Sequence, residues 1–241
     1  MSRFGSRIAR AGDVLAVTAP DAANDAASSF GAVYLFRRGA AGWYFVVKVV
    51  DPQASQDEHF AVSLDLDGDV LVAGVTTGSN LGRVSVLRRS GTAWRFEQGI
   101  PVLSVGAPLA VSGSRILLHG GLASGDVSVF VFNGTSWNLE QQLTPNPFFA
   151  GLDISGDFAA IGEVGPDRVR VFERSVSGWS EVATLLNPNQ PTGGFGQDVS
   201  LSGERCLVTA PRDESGGVID GGAGLLFERN GGVWELAQTF V

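Results

Sequence analysis

The chain has 241 residues, a formal net charge of −8 and a sequence pI of about 4.7. This acidic balance argues against nucleic acid and against an anionic membrane surface as partners, because both require basic protein surfaces. No apolar run approaches the roughly 20 residues of a membrane-spanning helix. The 33 glycines and the low charged fraction of 17% are typical of many strands joined by tight turns, which favours an all-β protein.

One hairpin pattern occurs five times along the chain. A hydrophobic residue, usually Phe, is followed eight residues later by a glycine, and an apolar strand follows that glycine. The turn glycines are Gly12, Gly68, Gly113, Gly156 and Gly203. Glycine adopts positive φ without a Cβ clash, as a tight hairpin requires. Five copies predict one supersecondary unit used five times.

A second hairpin pattern completes each repeat. Its first strand ends in a hydrophobic residue, and a tryptophan stands seven residues after it, as from Phe130 to Trp137 with the turn sequence Asn133-Gly134 between them. All five tryptophans occupy this position: Trp43, Trp94, Trp137, Trp179 and Trp234. We interpret them as packing residues rather than as a set that stacks on sugars.

Four antiparallel strands in about 40–50 residues form the blade of a β-propeller. The sequence therefore predicts one all-β domain over residues 1–241, a five-bladed propeller with repeats at about 3–58, 59–104, 105–147, 148–194 and 195–241. The chain begins in a first strand and ends in a fourth strand, so no strand is exchanged across the seam. A weak seam is expected there. It would fit a chain with further blades outside this sequence, or a chain that associates with copies of itself.

The connector between the second and third strands of a repeat varies in length, and so does the connector from the fourth strand to the next repeat. The turns between strands 1 and 2 and between strands 3 and 4 have a constant length. Both variable connectors leave the same end of a blade, and variable loops on one face mark a binding face. We predict a ligand-binding acidic patch on the longest loops, at Asp21, Asp25, Asp213, Glu214 and Asp220. The alternative is solvated loop acids without a ligand. No cofactor is predicted, although calcium at these loops stays open.

Some segments resemble the FG-GAP repeat, in particular Phe4-Gly5, Ala19-Pro20-Asp21 and the run from Gly31 to Phe36. Phe195-Gly196 and Ala210-Pro211 resemble it again in the fifth repeat. The resemblance implies a bacterial propeller that is distantly similar to integrin α-subunits, with an extracellular or cell-surface location and a protein or glycan ligand.

The chain departs from that family in two respects. Integrin-type propellers have seven blades, whereas five repeats are present here. The calcium loop of the family, Asp-x-Asp-x-Asp-Gly-x-x-Asp, would fall on the second repeat, where Ser63 and Leu71 replace its first and last carboxylates. Calcium requires six to eight oxygen ligands, so we predict a plain turn at this position.

No catalytic motif stands out in the sequence. His59 and His119 lie in different repeats, and Cys206 lies in an apolar strand. The inner-strand acids Asp65, Asp153 and Asp198 leave glycoside hydrolysis open. The prediction is a non-catalytic binding or adhesion module, not an enzyme. The alternatives are a lectin, a scaffold or assembly subunit and, less favoured, a glycosidase-like enzyme.

Overall fold

A computed structural model describes residues 2–23, 30–54, 58–76, 82–103, 108–120, 126–143, 149–188 and 193–241. The described residues form strands and turns without any helix. The strands pair as five four-stranded antiparallel meanders, which confirms the prediction of an all-β, five-bladed β-propeller. A single parallel bridge between Phe30 and His59 joins the first two sheets.

Each sheet is one blade, and its strands follow the order of the chain. Blade 1 contains β1 (Ile8–Ala11), β2 (Val14–Ala23), β3 (Phe30–Gly39) and β4 (Gly42–Val49). Blade 2 contains β5 (His59–Asp67), β6 (Val70–Thr76), β7 (Gly82–Ser90) and β8 (Ala93–Val102). Blade 3 contains β9 (Leu109–Ser112), β10 (Arg115–His119), β11 (Val127–Phe132) and β12 (Trp137–Leu143). Blade 4 contains β13 (Phe149–Ser155), β14 (Phe158–Glu163), β15 (Arg168–Ser175) and β16 (Gly178–Leu186). Blade 5 contains β17 (Val199–Ser202), β18 (Arg205–Ala210), β19 (Ala223–Asn230) and β20 (Val233–Phe240).

The hairpin between the first two strands of each blade forms as the sequence predicts. In blade 2, Asp67 pairs with Val70 and the turn glycine Gly68 has a φ of 54°. The following strand, β6, is buried at every residue from Val70 to Val75. Its uninterrupted apolar sequence is therefore explained by burial on both faces of the sheet.

The chain forms two compact units. The first contains Met1–Ser124 and Phe130–Asn138, and the second contains Gly125–Val129 and Leu139–Val241. Each unit has its own hydrophobic core, with Phe60 and Leu71 buried in the first and Phe195 and Leu225 in the second. That the five repeats behave as one domain remains a prediction.

The tryptophans act mainly as packing residues, as predicted. Trp137, Trp179 and Trp234 are buried, whereas Trp94 is partly buried and Trp43 is exposed. The indole nitrogen of Trp137 donates a hydrogen bond to Glu97 of the preceding blade at 2.7 Å. The recurring tryptophan position is thus used for contacts between blades within a unit.

The acids of the β5–β6 hairpin also connect blades. Asp65 Oδ2 accepts a hydrogen bond from the Val111 amide at 2.7 Å, and Asp67 Oδ2 accepts one from the Gly113 amide at 2.7 Å. Burial raises the pKa of Asp65, against the opposing effect of its backbone hydrogen bonds. In the second unit, Asp153 Oδ2 accepts from the Leu201 amide at 2.6 Å in the same way. These inner-strand carboxylates therefore hold the backbone of the next blade.

The described residues contain no helix with the length and hydropathy of a membrane span.

Candidate functional site

A buried ionic cluster holds the connector between blades 1 and 2. Arg83 on β7 donates to Asp51 Oδ2 through Nη2 at 2.7 Å and to Glu58 through Nη1 at 3.0 Å. Ser85 Oγ donates to the same Asp51 oxygen at 2.5 Å. Asp51 and Glu58 flank the connector, and their side chains are buried. Arg83 therefore fixes both ends of the loop that leads into β5.

The first residue of β5, His59, lies against the end of β2. Its Nδ1 is 3.5 Å from Asp21 Oδ1 and 3.4 Å from the carbonyl oxygen of Pro20. Both neighbours are acceptors, so they favour the tautomer with the proton on Nδ1 and the lone pair on Nε2. The His59 side chain is 42% exposed, so solvent reaches the ring. An acid beside a histidine whose ring is reached by solvent is the arrangement of a general base with its orienting group.

A second charged group adjoins this pair. Arg3 makes a two-pronged hydrogen bond to the Asp21 carboxylate through Nε and Nη2, and the Nη2 distance is 2.7 Å. The hydrogen bond from Arg3 lowers the pKa of Asp21, with burial acting in the opposite direction. Asp21 is therefore ionised at neutral pH. We refer to Arg3, Asp21 and His59 as the histidine site.

A small cavity in the first unit is lined by Ser63, Arg83 and His119, among others. About 10 Å³ of it is open to the centre of a water molecule, which is room for about one water. Burial lowers the pKa of His119 to about 4, so this imidazole is neutral at physiological pH. The cavity is too small for an organic substrate, and its volume fits one structural water.

The predicted acidic patch falls on both units. Asp21 belongs to the histidine site in the first unit, and Asp25 lies outside the described residues. Asp213 in the second unit is buried and accepts hydrogen bonds from Asn187 Nδ2 at 2.5 Å and the Ser215 amide at 2.7 Å. Burial raises its pKa, the hydrogen bonds from Ser215 and Asn187 lower it, and the net shift is downward. Asp213 thus organises its own loop.

The other two predicted residues of the patch are exposed. Glu214 offers its backbone carbonyl to the Gly217 amide at 2.8 Å, and Asp220 has a positive φ of 50°. Within the part of the chain that the structure describes, no three His, Cys, Asp or Glu side chains are grouped closely enough to hold a metal ion. A ligand at the acidic patch stays a prediction.

The sequence did not identify the histidine site as such. His59 is the single histidine of its repeat and Arg3 belongs to no motif, although Asp21 is one of the predicted patch residues. The one signal that pointed here was the length of the two connectors, which carry Asp21 and His59. Their close approach depends on the bridge between Phe30 and His59, where a Cβ on Gly31 would lie 2.2 Å from the Phe60 carbonyl oxygen.

No protein-family profile matches the chain, and no curated protein matches it. Solved structures do match in fold. A candidate 6-phosphogluconolactonase from Bacteroides uniformis is 17% identical with a TM-score of 0.62, and the match covers 97% of this chain and 70% of that one. A protein of unknown function from Desulfotomaculum acetoxidans is 14% identical with a TM-score of 0.64, covering 94% and 66%. The periplasmic gluconolactonase of Pseudomonas aeruginosa is 14% identical with a TM-score of 0.51, covering 96% and 84%.

These comparisons correct the predicted resemblance to the FG-GAP family, which is wrong. No family profile matches, and three of the similar structures are named as lactonases, whereas none of those reported is named as an integrin-like protein. The physical reason lies in what the quoted motifs do. Any propeller blade needs turns with positive φ and buried strands. Phe-Gly pairs and runs such as Gly31 to Phe36 meet these needs, so they indicate the fold and not the family.

The functional predictions that rested on that family are corrected with it. The prediction of a non-catalytic binding or adhesion module, with its lectin, scaffold and glycosidase-like alternatives, is wrong. The prediction that the chain is not an enzyme is wrong on the same finding, since three similar structures carry enzyme names. The extracellular or cell-surface location stays a prediction; one similar structure, the gluconolactonase of Pseudomonas aeruginosa, is named as periplasmic.

Proposed function

We propose that the chain is a hydrolase that opens sugar lactones, with His59 as the general base. The observation that carries the proposal is the position of His59, whose Nδ1 faces Asp21 and Pro20 while the ring remains accessible to solvent. Three proteins of similar fold are named for gluconolactonase or 6-phosphogluconolactonase activity, and this supports the choice of a lactone as substrate.

Lactone hydrolysis requires only one proton carrier. His59 Nε2 takes a proton from a water molecule as the water oxygen attacks the lactone carbonyl carbon. The tetrahedral intermediate collapses, the ring C–O bond breaks, and the imidazolium returns the proton to the departing alkoxide. The product is the open hydroxy acid, which ionises in water. Asp21 stabilises the imidazolium during this cycle, as an acid beside a catalytic histidine does.

Arg3 gives the site a preference for negative charge. Its guanidinium is exposed and lies beside the reacting groups, held there by the Asp21 carboxylate. The developing oxyanion and the product carboxylate are both anionic, so a fixed guanidinium favours them over the neutral lactone. A phosphate on the sugar would add a second anionic group for the same residue.

We also propose that the protein acts outside the cytoplasm. The support is the location named for the gluconolactonase of Pseudomonas aeruginosa, which is periplasmic. Fractionation of cells that express the full-length gene would test this, and a purely cytoplasmic signal would contradict it.

The test of the activity is acid release from glucono-δ-lactone and from its 6-phosphate, followed with a pH indicator and corrected for spontaneous ring opening. We expect the His59→Asn variant to lose about a hundredfold or more of the enzymatic rate, which is the usual contribution of a general base. Asp21→Asn should lose less, since the base remains present.

Asp13→Asn is the matched control. Asp13 also forms an ion pair with an arginine, Arg37, but in the β1–β2 turn. It should leave the rate unchanged. Wild-type protein no faster than buffer would overturn the proposal, and so would a His59→Asn variant that is folded by circular dichroism and keeps the full rate.

A further inference from the structure

A cavity lies between blades 1 and 2, inside the first unit. Its wall contains Trp94 and Arg89 of blade 2 together with Arg37 and Val46 of blade 1. About 20 Å³ of the cavity is open to the centre of a water molecule, which is more than the roughly 10–15 Å³ that one water requires. The cavity shares no residue with the histidine site. It is therefore a second place in this unit with room for a small ligand.

Between blades 2 and 3, a carboxylate joins the two sheets. Glu97 accepts a hydrogen bond from Arg88 Nε at 2.6 Å through Oε1 and one from the indole of Trp137 at 2.7 Å through Oε2. Arg88 belongs to the same blade as the acid, whereas Trp137 belongs to the next blade. This glutamate thus binds donors from both sides of the blade interface.

Blade 1 has a valine at the position of this glutamate. Val46 follows Trp43 by three residues, as Glu97 follows Trp94. The pairing of β3 with β4 skips Val46 and the pairing of β7 with β8 skips Glu97, so each is the extra residue of a β-bulge. An apolar side chain therefore stands where a carboxylate would join blades 1 and 2.

The donors of such a carboxylate are nevertheless present at the cavity. Trp94 holds the tryptophan position of blade 2, as Trp137 does in blade 3. Among the described residues, the Trp94 indole has no hydrogen-bond partner. Arg37 corresponds to Arg88, since each pairs with the residue two places after the turn glycine of its blade. Both donors that hold Glu97 therefore have counterparts here.

A third donor has its model at the interface of blades 3 and 4. There, Arg174 Nε and the indole of Trp179 both donate to the carboxylate of Glu140. Arg89 corresponds to Arg174, since the amide of each donates to the residue that follows the turn glycine of its blade. The cavity thus combines the donors of both carboxylate sites, and no acid is among the described residues that line it.

Both arginines of the cavity also bind an acid of a hairpin turn. Arg37 Nε donates to Asp13 at 3.0 Å, and Arg89 Nε donates to Asp69 at 2.6 Å. Both carboxylates are exposed, and neither lines the cavity. A guanidinium has five N–H groups, so each arginine keeps donors for a further acceptor. Since these pairs offset the charge of the arginines, a singly charged ligand fits this site better than a phosphate.

The same replacement between blades 4 and 5 is accommodated differently. Blade 4 has Val182 at the glutamate position, and Phe158 stands where blade 1 has Val14. The ring of Phe158 packs edge to face with Trp234 at a centroid distance of 5.8 Å. Val14 is smaller and lines the cavity between blades 1 and 2. The difference in side-chain size accounts for an open space beside the tryptophan of blade 2.

We propose that the cavity between blades 1 and 2 binds a small monocarboxylate of the size of formate or acetate. Its carboxylate takes the place of the glutamate carboxylate and accepts hydrogen bonds from Trp94 Nε1, Arg37 and Arg89. The methyl group of acetate lies against Leu35 and Val46, which belong to the apolar part of the lining. A carboxylate is favoured over a halide, because its two oxygens serve donors on both blades at once, as in the interface of blades 2 and 3.

The experiment follows the indole N–H signals of the ¹⁵N-labelled full chain by NMR during an acetate titration at constant ionic strength. The signal of Trp94 is assigned by its loss in the Trp94→Phe variant. We expect this signal to shift with acetate until it saturates. The signals of Trp137 and Trp179 should stay in place, because their N–H groups already bind Glu97 and Glu140. Chloride at the same concentrations should not reproduce the shift.

Two variants test the site itself. Val46→Glu supplies the missing carboxylate from the chain, so the Trp94 signal should lie near its acetate-saturated position without acetate and should no longer respond to it. Arg37→Gln removes one charged donor and should weaken acetate binding about tenfold or more. Val182→Glu is the matched control, since it places the same acid at the equivalent position of blade 4, and it should leave the Trp94 titration unchanged.

Three results would overturn the proposal. The first is a wild-type Trp94 signal that does not move at any acetate concentration at which the protein stays folded. The second is a shift that chloride reproduces equally or that never saturates. The third is a Val46→Glu variant that is folded by circular dichroism and still responds to acetate as wild type does.

Discussion

Trp179 Nε1 donates to Glu140 Oε2 at 3.1 Å, and Arg174 Nε donates to the other oxygen of that carboxylate at 2.8 Å. One acid, three residues after the tryptophan of blade 3, thus satisfies two donors of blade 4. Glu97 holds the same position in blade 2 and accepts from Trp137. In blade 4 the position is occupied by Val182. The donors that would face it, Trp234 Nε1 and Arg229 Nε, are both buried and have no hydrogen-bond partner among the residues that the structure describes.

Val182→Glu should therefore stabilise the protein. The new carboxylate would accept from both orphan donors, and removing an unsatisfied buried donor is worth about 1–3 kcal/mol. Urea denaturation of the full chain would show the gain as a higher urea concentration at the unfolding midpoint of the second unit. The dependence of the unfolding free energy on urea concentration should be unchanged. Val176→Glu adds the same charge at an exposed turn and should leave the midpoint unchanged. A Val182→Glu variant no more stable than wild type would mean that a water already fills this position.

Asp65→Ala should destabilise the first unit by about 2–3 kcal/mol. The exchange leaves the Val111 and Leu66 amides without the acceptor that they share at 2.7 and 2.8 Å, and buried amides without partners are costly. Asp153→Ala should cost a similar amount in the second unit, for the Leu201 and Ile154 amides. Thermal melts followed by circular dichroism would measure both changes.

The control for this pair is Asp69→Ala. Asp69 stands in the same hairpin as Asp65 but forms an exposed ion pair with Arg89. Exposed pairs contribute about 0–1 kcal/mol, so this exchange should shift the melt very little. If Asp69→Ala and Asp65→Ala lowered stability equally, the bonds between blades would not be the source of the effect.

The sequence predicted the repeated elements well because each depends on local requirements. The turn glycines, the apolar second strands and the tryptophan positions follow from positive φ, burial on both faces and packing, and all are visible in a single repeat. The histidine site was missed because His59 comes from a different repeat than Arg3 and Asp21, and neither His59 nor Arg3 belongs to a motif. His59 reaches Asp21 only through the Phe30–His59 bridge and the anchoring of its loop by Arg83. Such long-range contacts leave no periodic signal.

Arg83→Met should destabilise the first unit and impair the histidine site. Methionine fills much of the volume of the arginine but leaves the buried carboxylates of Asp51 and Glu58 uncompensated. Breaking a buried ion pair by removing one partner costs about 3–5 kcal/mol. The connector before His59 would lose its anchor, so lactone hydrolysis should also fall at temperatures where the variant is still folded.

A triple replacement separates charge from packing at this site. Arg83→Met combined with Asp51→Asn and Glu58→Gln removes all the buried charges, and it should recover much of the stability that Arg83→Met loses. Denaturant titration would compare four proteins: wild type, Arg83→Met, Asp51→Asn with Glu58→Gln, and the triple variant. The triple variant should lose less unfolding free energy than the sum of the losses of the other two variants. Strict additivity of the changes would contradict the assignment of the cluster as one ionic unit.

The half-buried His119 should make stability depend on pH. Its pKa is lowered to about 4 in the folded chain, against 6.5 as its ordinary value, and burial is the cause. Between these two values the unfolded chain binds a proton that the folded chain does not, so stability is fully present above about pH 6.5 and decreases as the pH falls toward 4. The urea midpoint of wild-type protein should decline over that window. His119→Asn lacks the titrating group and should show a flatter profile, although carboxylates common to both proteins contribute equally below pH 5. Chemical-shift titration of the His119 ring by NMR measures the same property directly, and an inflection near 6.5 would contradict the burial argument.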